Sequence, residues 1–308
     1  MLLTGWDRGR KIHLYTNKIA APANKGKPNV SAYYRPDSLT DALAVLDRTG
    51  AVVAAGCTDL FPATERQELA GPVLDVTAID GLRGISAMAG GWRIGATTRW
   101  SDIVAADLPP AFDMLKQAAR EVGAVQVQNA GTVAGNLCNA SPAADGVPPL
   151  LALDAQVELT GTAGHRVLPL AEFITGARQT GLKPGELMTA VVIPHTSGAG
   201  RSRFLKLGAR KYLVISVAMV AVRLDHAAGR VTDLALSVGA CSAVAMRLPA
   251  LERQLIGQPV RDLSGRVDQR LVSDALLPIS DVRADAAYRL RAAGELLRRA
   301  LRDLEVAA

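Results

Sequence analysis

At 308 residues, with 49% hydrophobic and 21% charged side chains, the chain is long enough for two packed domains and too apolar to be disordered. Its longest apolar run, Leu213–Val222, is interrupted by Ser216 and bounded by Lys211 and Arg223, short of the ~20 residues a membrane span needs, which excludes membrane insertion. A net charge of +6 raises the question of nucleic acid, but the arginines are scattered, aromatics make up only 4%, and the one dense cluster, Arg283–Arg302, alternates with leucines at helical spacing; nucleic-acid binding is not expected. Residues 1–30, with Pro22, Asn24, Gly26 and Pro28 close together and no central apolar run, read as an N-terminal extension rather than a secretory signal, so the expectation is a soluble, cytoplasmic protein. Ser38 is a fitting N-cap for a helix that carries Leu39, Ala42, Leu43 and Leu46 on one face and stops at Gly50. A strand, Val52–Ala55, then runs into the small, polar stretch Gly56–Leu60. Leu74–Thr77 and Trp92–Thr97 read as strands, and Pro109–Val122 as a helix capped by Gly123.

The stretch from Gln128 to Leu159 organises the chain. Gly131 and Gly135 let a ligand approach the backbone, and Thr132, Asn136, Asn139 and Ser141 add short hydroxyl and amide groups. Successive backbone N–H groups in such a turn form a concavity for anions, so the cluster ending at Asp145 reads as a nucleotide site. An apolar run, Val147–Leu153, leads from it into a hairpin, Ala155–Thr160 and Val167–Leu170, with Leu187–Pro194 as a further strand. Composition changes at His195–Gly200. Beyond it lie three strands (Arg203–Leu207, Ile215–Leu224, Val231–Ala240) and three helices (Met246–Ile256, Arg266–Ala275, Asp285–Val306), a small α+β unit.

The chemistry is narrowed by what is missing. No G-x-G-x-x-G follows a strand, no P-loop is present, and no G-x-S-x-G marks a hydrolase. Cys57, Cys138 and Cys241 are far apart and the four histidines have no ligand spacing, so this chain is not expected to hold a metal or an iron–sulfur cluster. Two strand-end stretches remain, Ala55–Leu60 and Gly131–Asp145, whose convergence on one diphosphate would be a non-Rossmann way to hold FAD.

Ala55-Gly56-Cys57-Thr58-Asp59-Leu60 resembles the A-G-G-T-D-L loop of the FAD-binding medium subunits of molybdenum hydroxylases, the family of xanthine and carbon monoxide dehydrogenases. Asn129 to Asn136, with Asn139-Ala-Ser141-Pro142-Ala-Ala-Asp145, is similar to that family's N-x-G-T-x-G-G-N…N-A-S-P-x-x-D signature. Leu151-Ala-Leu-Asp154-Ala, Phe204-Leu-Lys206-Leu-Gly-Ala-Arg210 and the helix around Tyr288 and Leu297–Leu301 extend the likeness from about Tyr33 to Leu304.

The resemblance implies an α+β chain: a two-domain FAD-binding fold of the vanillyl-alcohol-oxidase type over residues 31–197, as two small α/β lobes, then a three-stranded antiparallel sheet with helices over 198–308. It implies that the backbones of Ala55–Asp59 and Gly131–Asn136 wrap the FAD diphosphate, with Leu60 and Ala134 in the same loops and side-chain hydrogen bonds from Thr58, Thr132 and Asn136. Ser141 joins the site, Asp145 accepts from a ribose hydroxyl, and Lys206 lies near the flavin or its phosphates. Arg210 is as consistent with a structural ion pair. No residue of this chain is implied to be catalytic. The implied role is electron transfer from a 2Fe–2S subunit to an acceptor, in a complex with a large molybdenum-cofactor subunit and a small iron–sulfur subunit, arranged as a dimer of heterotrimers. Rival readings are a stand-alone FAD-dependent reductase of the same superfamily and a flavin-free scaffold subunit. Three departures bear on the site: Cys57 and Ala134 replace family glycines, at a cost of ~1 kcal/mol wherever φ must be positive, and Gln128 replaces a common arginine.

Overall fold

The computed structural model describes residues 32–64, 69–211 and 213–306; the N-terminal extension lies outside the described residues. The chain opens with a small parallel sheet of β1 (Tyr33–Tyr34), β3 (Val73–Asp75) and β2 (Val52–Ala54), in that order, covered by α1 (Leu39–Thr49). Local chemistry sets α1 as the sequence suggests. Ser38 is extended and accepts from the Asp41 N–H at 3.1 Å, Gly50 ends the helix at φ +58, and Ala42, Leu43 and Leu46 form the buried face.

The second unit is a five-stranded antiparallel sheet, in the order β4 (Ile85–Met88), β5 (Gly91–Gly95), β10 (Leu187–Pro194), β6 (Gln156–Gly161), β7 (Gly164–Pro169). Between β5 and β6 the chain forms α2 (Trp100–Ala105), α3 (Asp113–Glu121), α4 (Val125–Ala130), α5 (Val133–Asn139) and α6 (Val147–Ala152). The expected loop from Gly131 to Asp145 therefore carries a helix, α5, over Val133–Asn139. The apolar run after it is also a helix, with Pro148 and Pro149 in its first turn, where missing N–H groups cost nothing, and every residue of it buried. A four-residue helix α7 (Leu170–Phe173) leads to a hairpin of β8 (Ile174–Gly176) and β9 (Gln179–Thr180).

The third unit carries β11 (Arg201–Leu207), β12 (Ala218–Ala227) and β13 (Arg230–Gly239), the three antiparallel strands expected, plus a two-residue β14 (Met246–Arg247) at the edge. Pro249 opens α8 (Pro249–Leu255), so residues 246–247, expected to be helical, pair with β13 instead. Asp268 caps α9 (Gln269–Asp274) by accepting from the Arg270 N–H, and α10 (Ala286–Val306) lies across the sheet. Within the basic cluster of α10 one arginine departs from the expected solvated face: Arg289 is 2% exposed and donates to the carbonyls of Val217 and Ala240 and to Asp281.

The core runs unbroken from the second unit into the third. Phe204, Met219, Ala221 and Ala235 of the third unit pack with Phe112, Leu115 and Leu150 of the second. Polar ties cross the same boundary. Arg223 donates to the Ala152 carbonyl at 3.0 Å and reaches Asp154, Arg247 donates to Asp154 at 2.7 Å, and Ser237 donates to the Pro148 carbonyl at 2.6 Å. The ion pair across this boundary with both side chains buried joins Lys206 of β11 to Asp145: Nζ lies 2.6 Å from the carboxylate, and the two side chains are 7% and 9% exposed. Ser216 donates to the other Asp145 oxygen at 2.8 Å, and Lys206 also donates to the Glu121 carbonyl at 3.3 Å. Burial pushes the Asp145 carboxyl above its ordinary range, while Lys206 and Ser216 pull it down.

Removing one member of such a pair leaves a charge stranded without its counter-ion. Lys206→Met is expected to destabilise the chain by about 3–5 kcal/mol at pH 7. With its carboxyl pKa raised further, Asp145 in the variant binds its proton more readily folded than unfolded, so the deficit grows as pH rises through that pKa and narrows below about pH 4, where the unfolded carboxyl is also protonated. Urea unfolding of both proteins between pH 3.5 and 8 measures this; a deficit independent of pH would contradict it.

Candidate functional site

The sequence places Gly56 just past the end of β2, and the structure gives the reason that position has no side chain. A Cβ there would stand 2.1 Å from the Ala130 carbonyl oxygen and 2.8 Å from the Gly131 Cα. The two separated stretches thus meet backbone to backbone. Gly131 is similarly confined: a Cβ on it would lie 3.0 Å from the Val127 carbonyl and 3.4 Å from both the Thr58 hydroxyl and the Trp100 ring.

Around this junction lies a cavity of about 770 Å³. The residues predicted from both stretches, Ala55–Leu60 and Gly131 to Asp145, line it together. Lys206 is not among the lining residues; its amine donates to Asp145, which is. Arg210 makes no ion pair among the described residues and instead donates to the Leu213 carbonyl.

The two stretches differ in what their backbones offer. The N–H groups of Gly56, Cys57, Thr58 and Asp59 have no acceptor among the described residues. In the second stretch the donors are used internally: Gly131 to Val127, Val133 to Thr98, Ala134 to Ala96, Asn136 to Thr132, and Gly135 to the Thr132 hydroxyl, which caps α5. The donor-rich concavity is the first loop, and the second supplies surface and side chains. Asn136 is the clearest of those, since its Oδ1 is buried and accepts from no described group.

The two substituted glycines also part company. Cys57 has φ +57, so a residue with a Cβ does occupy a left-handed position, while its thiol donates to the Ala55 carbonyl at 3.6 Å. Ala134 lies within α5, where no glycine is needed.

Several lining residues escaped the sequence reading. Trp100 is buried beneath the second stretch. Leu213, Val214 and Ile215 line the cavity from the third unit; the strand expected from Ile215 begins only at Ala218, and Leu213 and Ile215 are exposed. Arg178 at the tip of the β8–β9 hairpin is the third omission. The readable signal for Leu213–Ile215 is three apolar residues set between Lys211 and Ser216, ahead of the strand.

A dinucleotide cofactor fits this arrangement: the cavity has the volume of a cofactor site, a Cβ-free junction, an unpaired run of N–H donors for a diphosphate and an unsatisfied buried amide oxygen. Comparison with known proteins agrees. Residues 27–196 match the model of the FAD binding domain in molybdopterin dehydrogenase, and residues 203–304 that of the CO dehydrogenase flavoprotein C-terminal domain. The carbon monoxide dehydrogenase medium chain of Afipia carboxidovorans is 30% identical over 287 residues, covering 89% of this chain and 96% of that protein. The glyceraldehyde dehydrogenase medium chain of Sulfolobus acidocaldarius is 28% identical over 280 residues, covering 90% and 99%. The crystal structure of a Cu,Mo-CO dehydrogenase superposes with a TM-score of 0.84 at 28% identity, covering 90% of this chain and 98% of that one. The chain belongs to the family of FAD-binding medium subunits of the molybdenum hydroxylases, and is an oxidoreductase subunit.

Proposed function

We propose that this chain binds FAD across the Gly56–Gly131 junction and is the electron-transfer subunit of a heteromeric molybdenum hydroxylase. It takes electrons from a small 2Fe–2S subunit and passes them to an acceptor, and a large subunit carries the molybdenum cofactor and the substrate. The observation that carries this reading is the meeting of a donor-rich loop with a second, side-chain-bearing stretch at one cavity. FAD, when bound, supplies the one- and two-electron redox chemistry, and the protein contributes position and field.

In this reading the N–H groups of Gly56–Asp59 hold the diphosphate. Thr58, Thr132 and Asn136 add side-chain hydrogen bonds, and Ala55, Leu60, Gly131, Ala134, Gly135 and Ser141 form the wall. Asp145 retains acceptor capacity beyond its bonds to Lys206 and Ser216, since each carboxylate oxygen has two lone pairs, and it offers this to a ribose hydroxyl. Lys206 acts through Asp145 by keeping that carboxylate ionised and fixed. The division of the chain near residue 198 follows the same logic, the earlier part binding the cofactor and the later part closing it in.

Acid precipitation of the chain purified with its co-purifying subunits should release about one FAD per chain, identified by chromatography against FAD and FMN; folded protein that neither holds nor takes up FAD would refute the proposal. Two neighbouring substitutions should behave oppositely. Gly56→Ala drives a methyl into the Ala130 carbonyl and is expected to cost about 1–3 kcal/mol and the retention of flavin. Cys57→Gly relieves a left-handed residue and is expected to keep FAD. Flavin absorbance per folded chain after gel filtration distinguishes the two.

A further inference from the structure

The charge inside the cavity is unevenly supplied. Its described lining holds two carboxylates, Asp59 and Asp145, and one cationic side chain, Arg178. Lys206 is outside the lining and committed to Asp145. A dinucleotide with an anionic diphosphate therefore meets neutral N–H donors and a single guanidinium.

Arg178 is held in place in a costly way. It is the second residue of the two-residue turn between β8 and β9, and its φ is +60, where a glycine would be unstrained. Its N–H donates to the Ala140 carbonyl at 2.8 Å, so the hairpin tip is pinned to the end of α5. Its guanidinium donates to the carbonyl and side-chain oxygens of Asn139, another residue of the lining. A left-handed non-glycine residue that aims a cation along a cavity wall is the kind of strain retained for a site. The same side chain is exposed on the cavity side, within reach of a ligand without a change of fold.

Resting on the cofactor reading above, we infer that Arg178 is a cofactor-contact residue that pairs with an anionic oxygen of the bound dinucleotide, either of the diphosphate or of the flavin as it becomes electron-rich. Such an oxygen is a stronger acceptor than the Asn139 amide and carbonyl oxygens to which the guanidinium donates.

The test is titration of the FAD-stripped full-length chain, as wild type, Arg178→Gln and Arg178→Lys, with FAD, ADP and uncharged riboflavin at several salt concentrations. Arg178→Gln should weaken FAD by about tenfold or more, the loss of one charge-assisted hydrogen bond. It should also flatten the salt dependence, leave riboflavin little changed, and be largely rescued by Arg178→Lys. An equal loss for ADP assigns the contact to the diphosphate. Unchanged ADP affinity with a lowered flavin midpoint potential assigns it to the flavin. Wild-type FAD affinity, salt dependence and potential in Arg178→Gln would overturn the inference, as would equal weakening of FAD and riboflavin together with a lower apoprotein melting temperature, which marks a structural role. Failure of the wild type to bind FAD at all is a separate outcome that removes the cofactor reading and this inference with it.

Discussion

The contact of Gly56 with the Ala130–Gly131 peptide governs the arrangement of everything around it. Two stretches some 75 residues apart in sequence come close enough that no side chain fits between them. One belongs to a small parallel sheet, the other to the helical insertion of a different, antiparallel sheet. Only at that separation does the unpaired run of N–H groups after β2 face the side chains of α5 across a single cavity. A side chain at residue 56 would push the two sheets apart and leave each with half of a site.

The division of labour between the two stretches follows from hydrogen-bond accounting. Backbone donors buried in a fold must find acceptors or stay available for a ligand. Those of residues 131 and 133–136 are consumed in starting α5 and tying it to Thr98 and Ala96. Those of residues 56–59 meet no acceptor among the described residues. The stretch with the richer glycine pattern is thus the one with less backbone to offer, and its contribution rests on Thr132 and Asn136.

Legibility in the sequence tracked how local each feature's cause is. α1 could be read to the residue because its cap, apolar face and terminal glycine lie within thirteen consecutive positions. The two cofactor stretches stood out because small and short polar residues cluster where strands end. The helices α4 to α6 did not, since six- and seven-residue helices carry too little periodicity; α5 and α6 are held by burial in the core that contains Trp100 and Leu150, while α4 buries no residue. The partner of Lys206 was unreadable for a different reason: Asp145 is 61 positions away, and nothing in a lysine on a strand says which carboxylate it will meet. Arg178 was unreadable because the strands that place it, β8 and β9, are only three and two residues long and carry no pattern.

The tie between Asp145 and the pair Lys206–Ser216 also sets how the chain can be recombined. Its two parts match separate family models, which invites exchanging the C-terminal part with that of a relative. The exchange is not free, because Phe204, Met219, Ala221 and Ala235 complete a core begun elsewhere, and because an incoming part without the lysine and serine would leave a buried carboxylate unmatched beneath the cavity floor. Chimeras that preserve both sets of contacts keep the floor intact. Those joined by sequence boundary alone inherit an unpaired charge at the seam.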